Sequence, residues 1–101
     1  MRHRITALAW IDPDVSIEYS AEVVQVRRLA RRLGYHLVWS AIGSVLPLVD
    51  QMRAAEVDAL ITPAPNHLDP LTLHSLMELG DVETVWPRLS FARWSTIGGR
   101  G

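Results

Sequence analysis

The chain contains no cysteine, which removes disulfides, thiolate catalysis and Cys-ligated zinc or iron-sulfur centres from consideration. It contains no lysine either, so all ten cations are arginine. No stretch approaches the roughly 20 consecutive apolar residues of a membrane helix, and no membrane partner is expected. The start Met1-Arg2-His3-Arg4 runs into a strand-like segment and then Asp12 and Asp14 rather than a small-residue cleavage site, so a cytoplasmic location is expected. Strong charge of one sign is also missing. A formal net charge of −1 gives no global attraction to nucleic acid, so any anionic partner must be met by a local patch. The four histidines, His3, His36, His67 and His74, show no metal-ligand spacing, and neither a metal nor a cofactor is expected.

What is present is an ordinary globular composition, 49% apolar and 21% charged over 101 residues, enough for one core. A single domain is expected over 1–94, with the glycine-rich end 95–101 (STIGGRG) as a flexible tail.

Short apolar runs alternate with helical periodicity along the chain. Arg4 to Ile11 (RITALAWI) reads as a buried strand ended by Asp12-Pro13-Asp14. From Glu18, Val23, Val26, Ala30 and Leu33 fall on one helical face, and Gly34 supplies the left-handed stop. Tyr35 to Trp39 is a second strand. Ser44 to Ala55 reads as a second helix, with Pro47 in its first turn and Leu46, Val49 and Met52 turned inward. Val57 to Thr62 is a third strand. Asp69 and Pro70 cap and start a third helix, Leu71 to Leu79, closed by Gly80, and Val82 to Trp86 is a fourth strand. Such alternation predicts an α/β three-layer sandwich: a four-stranded, mostly parallel sheet of order 2-1-3-4 with three helices. In that order a crevice opens beyond the carboxyl ends of the first and third strands, lined by Asp12, Asp14, Thr62, Asn66 and His67.

Two surface features stand out. Arg27, Arg28, Arg31 and Arg32 share the polar face of the first helix as like-charged i,i+4 pairs, a patch suited to an anionic partner such as nucleic acid. Leu89, Phe91 and Trp94 form a terminal aromatic segment that either folds back on the core or makes an interface, with a homodimer as the expected assembly.

The phrase Arg53-Ala54-Ala55-Glu56-Val57-Asp58-Ala59-Leu60-Ile61, the run Leu29-Ala30 ahead of Gly34-Tyr35-His36-Leu37-Val38, and the leucine-rich helix before Gly80 together resemble the catalytic domain of serine recombinases (resolvases and invertases). The resemblance covers about Arg4 to Trp86 and implies a resolvase- or flavodoxin-like fold. In active members an arginine and a nucleophilic serine follow the first strand; the matching positions here are Trp10 and Asp12. Where the family carries Asp, Arg, Ser and Arg after the third strand, this chain has Asn66, His67, Asp69 and Pro70. A carboxylate repels the phosphate it would have to attack, and no guanidinium is left to stabilise a phosphorane. The resemblance therefore implies a fold without catalytic residues: an inactive module for protein interaction or oligomerisation, in possible association with DNA. A second likeness is to haloacid-dehalogenase-type phosphatases, because Ile11-Asp12-Pro13-Asp14-Val15-Ser16 resembles their Asp-x-Asp-x-Thr motif. That alternative would make Asp12 and Asp14 the centre of a small Mg²⁺-dependent enzyme.

Overall fold

The computed structural model describes residues 4–40 and 45–93. The expected Trp94 contact, the 95–101 tail and the helix start at Ser44 lie outside the described residues.

Alternating side chains of the first strand decide the layers. In β1 (Thr6–Ala9), Ala7 and Ala9 face one side and Leu8 the other; in β3 (Ala59–Thr62), Ala59 and Ile61 accompany the former and Leu60 the latter. The small side chains let α1 (Tyr19–Leu33) lie close, burying Val26, Leu29 and Ala30 against them. The larger Leu8 and Leu60, with Val82, meet Met52 of α2 (Leu48–Ala55) and Leu76 of α3 (Pro70–Met77). Among the described residues one face of the sheet thus carries one helix and the other face two.

The sheet is completed by β2 (His36–Trp39), β4 (Asp81–Thr84) and β5 (Ser90–Phe91), in the order β2-β1-β3-β4-β5. Among the described residues five strands stand where four were expected. The added strand is antiparallel, pairing Val82 with Phe91 and Glu83 with Ser90. All other pairings are parallel. Phe91 is half-buried against the cluster of Leu8, Leu60 and Val82, so its ring serves the chain's own core. The sequence reading missed β5 because two residues are too few for a periodic signal.

Local signals act largely as their chemistry requires. Gly34 ends α1 at φ +86°, a conformation free of penalty only without a Cβ. Asp69 caps α3 by accepting from the Thr72 amide at 2.9 Å, and Pro70 opens its first turn. The N-cap of α1 is Glu18, accepting from the Ala21 amide at 3.0 Å. α2 starts later than expected, at Leu48, with Pro47 as its N-cap. Leu46 therefore precedes the helix and is 52% exposed instead of turned inward. Gly80 touches the core so closely that a Cβ there would sit 2.3 Å from the Asp58 carbonyl oxygen. Among the described residues no helix is long and apolar enough to cross a membrane.

Candidate functional site

Because four strands run parallel, the segments that follow them gather at one end of the sheet. Between the segments after β1 and β3 lies a cleft of about 300 Å³, lined by Trp10, Asp12, Asn66, His67, Asp69 and Thr72, with Leu48 and Leu68 as its apolar wall. Three of the five expected crevice residues, Asp12, Asn66 and His67, are brought together here. Thr62 and Asp14 do not line it. Thr62 is fully buried and its hydroxyl donates to the Trp10 carbonyl at 2.8 Å, tying β3 to the end of β1. Asp14 is exposed on the far side of the turn, where its amide donates to Asp12 Oδ1 at 2.9 Å.

His67 is the centre of this cleft. A single 3-10 turn, Pro65–His67, follows β3 and leaves the imidazole buried, 5% exposed. Its Nδ1 accepts from the Asp12 amide at 2.9 Å, so in the neutral ring the proton sits on Nε2. Its carbonyl accepts from Trp10 Nε1 at 3.1 Å. Burial holds the imidazole below its ordinary pKa, and the nearby carboxylates of Glu22 and Asp12 oppose this without overcoming it. The ring is neutral at pH 7 and works as a clamp between the two loops.

Glu22, in the first turn of α1, belongs to the same neighbourhood and was not singled out in the sequence. It accepts from the Ser16 hydroxyl and from the Ile17 amide, the latter at 3.1 Å. Desolvation pushes its pKa up, but the hydrogen bonds from Ser16 and Ile17, with His67 close by, outweigh that and hold it below the ordinary carboxylate value. Ser16 and Glu22 are six positions apart, a spacing that matches no common capping pattern, which is why the pair was not legible.

The cleft thus spends its polar groups on the fold. Asp12 caps its own turn, Asp69 caps α3 through Thr72, and Trp10 and His67 lock β1 to β3. No arginine lines it. Among the described residues, no three His, Asp or Glu side chains converge as a metal site would need, so Asp12 and Asp14 gain no further ligand for Mg²⁺.

The arginine patch is rearranged. Arg27 stacks over the Trp39 ring, 5.8 Å from its centroid. Arg28 and Arg32 border a second cleft, which Arg88 from the β4–β5 connection joins from the other side. Arg31 stays exposed on the same helix. Of the expected interface residues, Leu89 is 38% exposed and Phe91 is packed inward.

No protein-family model matches the chain, and neither does any curated protein or solved structure.

Proposed function

We propose that the chain is a catalytically silent, resolvase-like interaction module that binds a protein, in the simplest case a second copy of itself, through the carboxyl edge of its sheet. What supports the reading is what that edge displays. Ile17 after β1, Val45 ahead of α2, Leu71 after β3 and Trp86 after β4 are exposed by 94, 94, 81 and 77%. Exposed apolar residues scattered singly mean little, but four large ones from four successive connections converge on one end of the sheet. The contact surface is thereby moved from the Leu89–Trp94 segment, whose Phe91 is already engaged, to the carboxyl end of the sheet.

Catalytic silence rests on the same end of the molecule. A phosphoryl-transfer centre needs cations aimed at the developing charge, and the cleft offers Asp12, Asn66, His67 and Asp69 instead.

Sedimentation velocity at tens of micromolar checks the contact. The unmodified chain is expected to sediment as a dimer and the Ile17→Ser, Leu71→Ser, Trp86→Ser variant as a folded monomer, because those side chains contribute little to the core. A monomer at every concentration overturns self-association. Strand-exchange assays on supercoiled DNA check the silence, and a covalent protein–DNA adduct at Ser16 or any other residue refutes it.

A further inference from the structure

The unequal covering of the sheet creates a second site. Among the described residues α1 alone covers its face, packing on β2, β1 and β3, so no described helix lies over β4 on that side. Alternation puts Glu83 on this flank, since its neighbour Val82 faces the α2–α3 side. A carboxylate there must be paired. Arg88 folds over it, with Nη2 3.0 Å from Glu83 Oε1, while the Ser90 hydroxyl donates to Oε2 at 3.0 Å. The Arg88 Nη1 is fixed in turn by donating to the Leu89 carbonyl at 2.6 Å. Between this anchored guanidinium and α1 remains a cleft of about 230 Å³, whose polar lining is Arg28, Arg32, Arg88 and Gln25.

We propose that this groove binds the phosphate backbone of a nucleic acid, without regard to base sequence. Three guanidiniums from two separate segments border one cavity whose lining includes no carboxylate, and the single acid behind it, Glu83, neutralises only one of them. Arg28 and Arg32 make no side-chain ion pair or hydrogen bond among the described residues. They stand one helical turn apart, about 6 Å along the axis, a separation comparable to that of successive phosphates on one strand. The planar fork of arginine fits a phosphate with two parallel hydrogen bonds. Arg27 is turned to the opposite flank of α1, over Trp39 of β2, so the groove's charge comes from Arg28, Arg32 and Arg88. An otherwise near-neutral chain gathers charge here and tolerates like-charge repulsion along α1 to do so.

Fluorescence anisotropy of a labelled 20-mer duplex against the full chain, from 50 to 200 mM salt, is the test. Binding is expected at the low end, with log K falling against log salt at a slope of about −2.7, for three phosphates at about −0.9 each. Arg28→Glu with Arg32→Glu should weaken binding at least tenfold and flatten the slope to about −0.9 or less. Both side chains are exposed, so this variant should remain folded. Arg88→Lys keeps the charge over Glu83 but loses the fork, and should weaken binding severalfold at an unchanged slope. Arg53→Glu, on the α2 side of the sheet and paired to Asp50 in the native chain, should leave affinity as it was. Four results overturn the proposal: no binding at 50 mM salt, affinity indifferent to salt, affinity indifferent to Arg28 and Arg32, or competition by polyglutamate or inorganic phosphate as effective as that of unlabelled DNA at equal charge.

Discussion

His67 shows how one side chain can look catalytic and act structurally. An imidazole whose Nδ1 accepts from the Asp12 amide cannot take up a proton there without turning that nitrogen into a donor facing a donor. Its pKa is lowered by burial, so the folded chain disfavours the charged ring relative to the unfolded chain. The unfolded state then binds more protons as the solution is acidified. The stabilising contribution is complete above the ordinary imidazole value of 6.5 and is lost as pH falls from there through the lowered value in the fold. Urea midpoints between pH 7.5 and 5 should decline for the native chain. In His67→Asn an amide oxygen can replace Nδ1 as acceptor and cannot titrate, so the decline over that window should shrink. His67→Ala should cost about 1–3 kcal/mol above pH 6.5, because the Asp12 amide is left without its partner, and the cost should shrink as acid removes the native ring's contribution. Equal slopes for the native chain and His67→Asn would mean that another group governs the acid limb. In the sequence His67 was visible as the one histidine in a loop at a strand end, but its partner is a backbone amide 55 positions earlier in the chain, and nothing local announces such a contact.

The elements were legible where a side-chain preference and a position coincided. Gly34, Asp69 and Pro70 mark helix ends by sterics and capping that act within a few residues, and each stands where that chemistry places it. The end of α2 runs against preference: Glu56 is its C-cap at φ +53°, in the left-handed region where a Cβ costs roughly 1–2 kcal/mol. The side chain is exposed, so no packing is lost by removing it. Glu56→Gly should raise stability by up to about 1 kcal/mol, read as a higher urea midpoint at unchanged m-value. A lower midpoint would show that the glutamate makes a compensating contact. The start of α2 and the existence of β5 were misread for a related reason. Pro47 is compatible with both the cap and the first turn, and Ser90–Phe91 becomes a strand only because Val82 and Glu83 are there to receive it.

Across the whole molecule, the parallel order β2-β1-β3-β4 has most of its consequences at one end, where a self-clamped cleft opens, and along one flank, where Arg88 covers Glu83. The α/β class and the mostly parallel sheet followed from alternation, while the five-stranded order did not, because β5 leaves no periodic signal. The arginine groove did not, since it needed Arg88 to come from a connection that the sequence left as a plain stop at Pro87. Central position should also grade amide exchange: Ala7 to Ala9 and Leu60 to Thr62 are expected to exchange last, and Ser90 and Phe91 at the edge first. Protection concentrated in α2 and α3 instead would contradict a sheet-centred core. The placement of β1 finally bears on how the chain is born. It is made before both of its sheet partners and ends inside the sheet, where Thr6 waits for His36 and Ala7 waits for Ala59. Until β3 emerges, a nascent chain holds β1 with at least one open edge, and the fully buried β3 stays open until Asp81 to Thr84 follow. Stalled or shortened products ending before β4 would therefore carry the aggregation hazard of the family of intermediates that chaperones shield, while the finished chain buries it.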